Sequence, residues 1–165
     1  MAESAFTIEL FAPSDFVTLV EFVAAIQEHE RAAVPELKTG PEIGADYARF
    51  LVETTAKQNG VLLFAKDNGE ALGFISAWVA IDDDPLVQDQ ARDHAYVSDI
   101  FVVGSRRGQG VAQALLAAAE AALHAKGCRR MRVCSKASNL PAVKFYESCG
   151  FRPYEIIFSK ELKLG

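Results

Sequence analysis

The chain has 165 residues, half of them hydrophobic, with 17 basic and 22 acidic side chains. This length suits one domain, and the composition is that of a soluble globular protein rather than a disordered or collagen-like chain. No window approaches the roughly 18 uninterrupted apolar residues that a membrane span needs, and the net charge of −5 argues against general nucleic-acid binding. We therefore expect a single domain over residues 1–165 with no membrane or nucleic-acid partner.

The start of the chain and its cysteines indicate the cytoplasm. The first ten residues carry two acids and lack the positively charged region of a secretory signal. Cys128, Cys134 and Cys149 form neither an even disulfide set nor a CxxC metal pair. Because structural disulfides mark oxidising compartments, we expect a cytoplasmic protein without a metal site.

Hydrophobic periodicity divides the chain into ten elements in the order β-α-α-β-β-β-α-β-α-β. Alternating and continuous apolar runs predict strands at 6–11, 61–66, 71–81, 94–103, 130–135 and 154–162. Apolar residues at helical spacing predict helices from Pro13 to about Arg31, over 41–58, from after Gly110 to about Lys126, and over 139–148. The third of these helices is expected to bury a stripe of Val111, Leu115, Ala118, Ala119 and Ala122. The run Asp67-Asn68-Gly69 is typical of a tight hairpin turn. This order predicts an α/β (α+β) domain with one mixed sheet flanked by helices.

The charges are unevenly distributed along the chain. Residues 1–85 carry 5 Lys or Arg and 15 Asp or Glu, whereas residues 86–165 carry 12 and 7. Chance clustering on a solvated surface explains this split, and so does an anion bound by the second half. Composition alone does not choose between the two.

A loop rich in glycine and arginine joins the long apolar strand to the Ala-rich helix. Gly108 and Gly110 would let the backbone approach an anion closely, and Arg107 offers a guanidinium suited to phosphate oxygens. The following helix start provides unpaired N–H groups and the positive end of the helix dipole. No Gly-Lys-Ser/Thr occurs, and Gln113 stands where a dinucleotide fingerprint needs a third glycine. These absences argue against hydrolysis of a nucleoside triphosphate and against a dinucleotide. A bound diphosphate is one interpretation of the loop, and a strained turn without a ligand is the other.

Two motifs in this part of the sequence resemble those of the GNAT (GCN5-related) N-acetyltransferases. The acetyl-CoA signature Q/R-x-x-G-x-G/A reads Arg107-Gly108-Gln109-Gly110-Val111-Ala112 here. The family's second motif, N-x-x-A-x-x-F-Y-E-x-x-G-F, matches residues 139–151, from Asn139 to Phe151. Gly104 replaces a frequent proline, and Ser105-Arg106 replace a common Glu-Tyr type pair. The resemblance implies the GNAT acyl-CoA N-acyltransferase fold, with a mostly antiparallel central sheet, over nearly the whole chain.

The resemblance also implies which residues bind acetyl-CoA. The backbone from Gln109 to Gln113 would hold the pyrophosphate beside Arg107, and Phe101 and Val102 would pair with the pantetheine arm. Asn139 would bond the arm, although an asparagine at that place also caps a helix in any protein. The implied binding residues are Phe101, Val102, Arg107, Gly108, Gln109, Gly110, Val111, Ala112, Gln113, Asn139 and Tyr146.

Two catalytic candidates follow from the same resemblance. Tyr146 would protonate or hydrogen-bond the leaving thiolate, although a lone helical tyrosine is usually a core aromatic. The base that takes the proton of the amine is expected on the fourth predicted strand, where His94 has a suitable ordinary pKa and shares a face with Ser98. Asp99 lies on the opposite face unless a bulge re-aims it. A water relay is the alternative to His94.

The acceptor side carries acidic residues that would attract a cationic amine such as a polyamine, an aminoglycoside, a lysine side chain or an amino-acid amine. They are Glu28, Glu30, Glu36, Glu42 and the run Asp82-Asp83-Asp84. A merely soluble turn explains the aspartate run equally well.

Together these features predict an acetyl-CoA-dependent N-acetyltransferase that acts on a small-molecule or peptide amine by direct attack in a ternary complex. The alternative is a non-catalytic acyl-CoA-binding or sensor module of the same fold. The resemblance implies a homodimer through the last strands. The apolar Ile156-Ile157-Phe158 agrees with that, as it would with a buried strand.

Overall fold

The computed structural model of the protein describes residues 6–162. The chain divides into two compact units, Met1–Cys134 and Ser135–Gly165. The single domain over residues 1–165 that the sequence indicates stays a prediction.

The first unit contains five strands and three long helices within its described residues. Its strands are β1 (Thr7–Leu10), β2 (Val61–Asp67), β3 (Glu70–Ile81), β4 (Asp93–Val102) and β5 (Met131–Val133). Its helices are α1 (Phe16–Arg31), α2 (Gly40–Lys57) and α3 (Val111–Ala125). Each of these elements was predicted, with bounds that differ by a few residues at most.

The sheet of the first unit has the strand order β1-β2-β3-β4-β5. The first four strands pair antiparallel, and β5 pairs parallel to β4. The prediction of a mixed, mostly antiparallel sheet is therefore confirmed. The β2–β3 turn places Asn68 and Gly69 at φ 48° and 86°, as a tight turn with two left-handed central residues requires.

Helices cover both faces of this sheet. Alternate side chains of a strand point to opposite faces, and Phe64, Phe74 and Trp78 pack with Leu19 and Phe22 of α1 in one buried cluster. α2 contributes Ala48 and Leu51 to the same cluster. The alternate residues of β2, β3 and β4 face the other way, where α3 contacts these strands.

The buried stripe of α3 differs from the predicted one. Its buried residues are Val111, Leu115, Leu116, Ala119 and Leu123, whereas the predicted Ala118 and Ala122 are half-buried. Leucines bury more apolar area than alanines, so the helix turns Leu116 and Leu123 toward the sheet. The apolar face itself was predicted correctly.

The second unit contains helix α4 (Leu140–Ser148), as predicted, but the predicted last strand over 154–162 is wrong. Residues 151–162 have no regular secondary structure. Ile156, Ile157 and Phe158 are exposed to 72%, 91% and 89%. Preference for β structure depends on a paired, half-buried strand surface, and this segment has no ladder partner among the described residues.

Candidate active site

The edge of β4 that faces β5 is open over half of its length. β5 pairs with β4 only at Ala95, Val97 and the residue between them. No other strand within residues 6–162 pairs with that edge between Ser98 and Val102. β5 ends at Val133, opposite Val97, so the backbone of β4 beyond Val97 offers hydrogen-bonding groups on that side.

The ladder geometry identifies which residues offer those groups. In an antiparallel pair, alternate residues exchange hydrogen bonds with the neighbour, and Val103 N–H donates to the Leu72 carbonyl at 2.9 Å. Phe101 therefore also faces β3, and a Cβ placed on Gly73 would lie 2.2 Å from the Phe101 oxygen. Ile100 and Val102 face the open edge. Phe101 and Val102 were both predicted to pair with the pantetheine arm. Val102 offers its main chain at the open edge, whereas Phe101 packs its ring against that of Phe22, with centroids 4.8 Å apart.

Arg107 joins the open edge to the glycine loop. Its Nε–H donates to the Val102 carbonyl at 3.1 Å, while the residue as a whole is exposed. The carbonyl of Val102 is thus engaged, which leaves the N–H of Val102 and both backbone groups of Ile100 at the open edge. The guanidinium is held at the end of β4, beside the loop that leads into α3.

The loop itself has the backbone that the two glycines allow. Gly108 and Gly110 have φ of 74° and 82°, in the left-handed region that disfavours other residues. Gly110 is the N-cap of α3, and no side chain caps this helix. The first N–H groups of α3, at Val111, Ala112 and Gln113, have no carbonyl within the helix to bond. A Cβ on Gly108 would meet nothing within 4 Å, so space for an anion exists beside the loop.

Two further contacts hold the loop in place, one to the β2–β3 turn and one within the loop. Arg106 forms an ion pair with Asp67 of the β2–β3 turn at 2.8 Å, and both side chains are partly buried. Gln109 Nε2 donates to the Ser105 carbonyl at 3.0 Å. The side chain of Gln109 therefore stabilises the loop, and its backbone N–H lies immediately before the N-cap residue Gly110.

A β-bulge in β4 re-aims Asp99. Ser76 pairs with Asp99 and Ala77 with Val97, so Ser98 is the extra residue. Tyr96 before the bulge and Phe101 after it pack against the same cluster beneath α1 and α2, although they are five positions apart and would face opposite sides of a regular strand. Without the bulge, Asp99 would face α3. With the bulge, Asp99 lies on the same face of the sheet as Tyr96.

Asp99 accepts two hydrogen bonds on this face. Tyr47 of α2 donates its hydroxyl to Asp99 Oδ2 at 3.1 Å, and Ser76 Oγ donates to the same oxygen at 3.3 Å. The Tyr47 hydroxyl also lies 3.2 Å from Ser98 Oγ. Ser98 also forms a side-chain hydrogen bond with Asp99 that acts to lower the pKa of the carboxyl. The carboxylate therefore sits in a network of three hydroxyl groups.

Burial governs the ionisation of this network. Burial raises the pKa of Asp99 above its ordinary value, and the hydroxyl donors around it reduce that shift only in part. The carboxylate of Glu30, at the end of α1, adds to the increase. Burial, with the charge of Asp99, also raises the pKa of Tyr47, so its hydroxyl keeps its proton. A carboxylate that gains a proton more readily than usual is suited to act as a base.

The structure places His94 away from this network. His94 is buried, with 6% of its surface exposed, and its Nδ1 lies 3.1 Å from the Arg92 carbonyl. Asp99 lies five positions further along the extended strand, a distance of about 16 Å. One amine nitrogen could not reach both groups.

Four of the acids predicted to attract an amine are engaged in local structure. Glu28 accepts from the Gly40 N–H at 2.6 Å. Thr39 donates from its N–H and its hydroxyl to Glu42, which holds the pKa of Glu42 below its usual range and begins α2 with a capping box.

The aspartate run is engaged in the same way. Asp82 pairs with Arg132 of β5 at 2.8 Å, which lowers the pKa of Asp82, and Asp84 accepts from the Leu86 N–H. These contacts favour the interpretation of the run as a turn.

The second unit carries the other two predicted residues. Asn139 caps α4 by accepting from the Ala142 N–H at 3.3 Å, so its helix-cap interpretation holds. The half-buried ring of Tyr146 lies 5.4 Å from Phe145 and 5.7 Å from Phe151 between centroids. Tyr146 is thus part of a small aromatic cluster on the helix predicted for it.

Comparison with known proteins decides the family. The model of the "Acetyltransferase (GNAT) family" matches residues 23–151, more than half of the chain, including the glycine loop and the 139–151 motif. The chain belongs to the GNAT acetyltransferase family.

Curated relatives of this GNAT chain come from several bacteria. An uncharacterized N-acetyltransferase of Bacillus subtilis (strain 168) is 31% identical over 53% of this chain and 54% of its own. An aminoglycoside N(6')-acetyltransferase of Klebsiella aerogenes is 29% identical over 68% of this chain and 72% of its own. The chain spans about half the length of the Bacillus relative and of a mycothiol acetyltransferase from Acidothermus cellulolyticus, which is 25% identical over 92% of this chain.

A solved structure agrees with the GNAT fold. The aminoglycoside acetyltransferase AAC(6')-Iy, in complex with the bisubstrate analogue CoA-S-monomethyl-acetylneamine, has a TM-score of 0.70 to this chain. The match covers 96% of this chain and 99% of that chain at 20% identity. At this identity, the likeness establishes the fold alone.

Sequence reasoning missed two members of the Asp99 network in this GNAT chain. Tyr47 lies in the apolar stripe of α2, where a tyrosine looks like any core aromatic, and Ser76 is one small polar residue within a long strand. Ser76 is fully buried. A buried serine among apolar residues needs a hydrogen-bond partner, and that is the signal that could have pointed to Asp99.

Within the described residues, no helix is long and apolar enough to cross a membrane. No group of three or more His, Cys, Asp and Glu side chains in residues 6–162 is arranged to hold a metal ion.

Proposed function

We propose that the protein transfers the acetyl group of acetyl-CoA to a primary amine of a small molecule or peptide. The observation that carries the proposal is the open edge of β4, which has the glycine loop at one end and the half-buried carboxylate of Asp99 at the bulge. One surface therefore offers backbone groups for an extended chain, N–H groups for a diphosphate and a base for an amine. Membership of the GNAT family supports this combination.

The residues around the loop fit acetyl-CoA. The N–H groups of Val111, Ala112 and Gln113 would bind its pyrophosphate, because Gly108 and Gly110 place no side chain in the way. Arg107 would add a charge-assisted contact. The outward groups of Ile100 and Val102 would hold the pantetheine arm as an added strand. The bound molecule supplies an activated thioester.

Asp99 is proposed as the base in place of His94. An alkylamine is largely protonated at neutral pH, so one proton must leave its nitrogen before attack. Asp99 takes that proton, with Tyr47 and Ser76 fixing the carboxylate. The neutral nitrogen then forms a bond to the acetyl carbon as the carbon–sulfur bond breaks, and the second proton that the nitrogen loses replaces the one that the leaving sulfur takes up from Tyr146. A backbone N–H of the open edge near Val102 stabilises charge on the carbonyl oxygen.

Tyr146 is proposed to serve the leaving sulfur, on the strength of the 139–151 motif. Its hydroxyl would donate a proton or a hydrogen bond to the thiolate. The three free cysteines, Cys128, Cys134 and Cys149, stand outside this scheme. We therefore propose direct attack within a ternary complex, without an acetylated enzyme.

The decisive experiment measures thiol release from acetyl-CoA with a panel of primary amines. Amine-dependent thiol, with acetylated amine identified by mass spectrometry, is the expected result. If acetyl-CoA binds in calorimetry but no amine yields thiol, the protein is a non-catalytic acyl-CoA sensor and the proposal is wrong.

The Tyr47→Phe variant tests the hydroxyl that Asp99 accepts. Because that hydrogen bond favours the charged carboxylate, its loss raises the pKa of Asp99 further. The acid limb of log kcat/KM against pH should therefore move to higher pH, with the plateau nearly retained. An unchanged limb would show that Tyr47 does not set the ionisation of the base.

The Tyr146→Phe variant tests the leaving-group role. We expect kcat to fall about tenfold to a hundredfold, at the lower end of general acid catalysis, while the Kd of acetyl-CoA stays within about twofold. The change keeps the ring and its packing against Phe145 and Phe151. A full wild-type kcat would contradict the assignment.

We also propose that the protein acts in the cytoplasm and forms a homodimer. Free cysteines support the first proposal. The exposed apolar segment Ile156–Phe158 supports the second, since exposed apolar patches often mark interfaces. Light scattering of the wild type and of an Ile157→Glu variant tests the dimer.

A further inference from the structure

We propose that the acceptor carries a single positive charge on an aromatic or apolar body, and is neither a polyamine nor an aminoglycoside. This inference rests on the proposed function, because it takes Asp99 as the group that meets the amine. It goes further in naming the chemistry of the rest of the acceptor molecule. Two observations carry it: a row of aromatic rings that ends at Asp99, and the local contacts that four of the seven predicted acceptor acids already make.

The aromatic row consists of Tyr47 and Phe50 on α2, Trp78 on β3 and Tyr96 on β4. Tyr47 stacks on Phe50 with centroids 5.5 Å apart, Phe50 meets Trp78 edge-on at 6.2 Å, and Trp78 lies 5.6 Å from Tyr96. These rings form one continuous surface across three elements.

Asp99 lies at the inner side of this surface. The Tyr47 hydroxyl reaches its carboxylate, and Ser76, which also donates to it, is two residues from Trp78 on the same face of β3. Phe101 follows two residues after Asp99 and packs in the same cluster. An amine at Asp99 would therefore have rings on several sides, where a cation gains attraction from ring faces.

The row also reaches solvent. Phe50 is 47% exposed, whereas Tyr47 and Tyr96 are half-buried and Trp78 is buried. Exposure thus decreases from Phe50 toward Asp99. A ligand whose ammonium group meets Asp99 would place its body against Phe50, and an apolar body would there bury surface that is now wet.

Most of the predicted acceptor acids are already engaged and are therefore poor partners for a polycation. Four of the seven predicted acceptor acids already hold a backbone N–H or an arginine, as described above. Glu30 is the acid outside the network whose charge acts on Asp99, and beyond that one carboxylate a further ammonium group would lie against aromatic surface. Removing such a charge from water without a partner is unfavourable.

The test compares kcat/KM for matched primary amines at constant acetyl-CoA, read by thiol release. We expect 2-phenylethylamine and n-hexylamine to exceed putrescine, spermidine and neamine by about tenfold or more. A higher value for any of the three polycations overturns this inference and leaves the proposed function intact. If no amine releases thiol, the proposed function itself fails.

A Phe50→Leu variant tests the role of the ring in the row. Leucine keeps an apolar side chain at this half-exposed site but removes the π face, so kcat/KM for 2-phenylethylamine should fall about threefold to tenfold. The value for n-hexylamine should stay within about twofold. Val17→Ala is the matched control, since Val17 is an exposed apolar residue near the opposite end of α1 from Glu30. Equal losses for both amines, or the same loss in the control, would overturn the role of the ring.

Discussion

An Asp99→Asn variant is expected to lose about a hundredfold to ten-thousandfold in kcat, the usual contribution of a general base. Asparagine keeps the shape of the side chain and can still accept from the Tyr47 and Ser76 hydroxyls. It cannot take the proton of an ammonium group. The loss should therefore appear in kcat, while the Kd of acetyl-CoA, measured by calorimetry, changes little.

The pH dependence of the same variant gives a second readout. In the wild type, kcat/KM should fall as pH decreases through the raised pKa of Asp99, because a protonated carboxyl cannot act as a base. The acid limb should therefore lie above the ordinary range for an aspartate, and it should vanish in Asp99→Asn. A His94→Gln variant distinguishes the two predicted bases. If it removes the limb and Asp99→Asn does not, His94 is the base.

The variant should also be more stable than the wild type at neutral pH. Burial raises the pKa of Asp99 in the folded state, so this carboxyl favours folding only below its unfolded pKa, and that contribution is lost as pH rises through the folded value. Asparagine has no charge to desolvate. For a chain of this size each kcal/mol gained raises Tm by about 2–4 °C. A higher Tm with lower kcat would distinguish a base from a residue that merely supports the fold.

Periodicity predicted most of the elements because their burial follows simple patterns. α2 and α3 each show one apolar face, and Asn68-Gly69 allows few structures other than the turn it forms. The failure at residues 154–162 has the opposite cause. A strand is defined by its partner, and local preference for β structure does not say whether an edge is available.

The candidate site was also predicted only where its residues leave a local pattern in the sequence. The glycine loop was predicted because left-handed glycines before a helix leave a local signature, and Gly108 and Gly110 have that backbone. His94 was predicted as the base because strict alternation along β4 places Asp99 on the opposite face. The bulge at Ser98 depends on pairing with β3, and the contact with Tyr47 depends on how α2 packs. Both are tertiary facts that a single sequence does not contain.

A Gly110→Ala variant should raise the KM for acetyl-CoA about tenfold to a hundredfold. Gly110 has φ of 82°, where a Cβ costs roughly 1–2 kcal/mol, and relief of this strain would rotate the N–H groups at the start of α3. A Cβ there would meet only Gln113 Oε1, at 3.8 Å, so crowding within the chain is a minor cause. Losing one or two charge-assisted hydrogen bonds to a phosphate explains a change of that size.

Gly127→Ala is the matched control for this variant, because it applies the same strain at the other end of α3. Gly127 has φ of 96°, and a Cβ there would meet nothing within 4 Å. The helix between the two glycines is 15 residues long, or about 22 Å. Both variants should lose similar stability in thermal unfolding, but only Gly110→Ala should raise the KM for acetyl-CoA. If the two variants have equal KM values, the loop does not bind the diphosphate, and its glycines serve the turn alone.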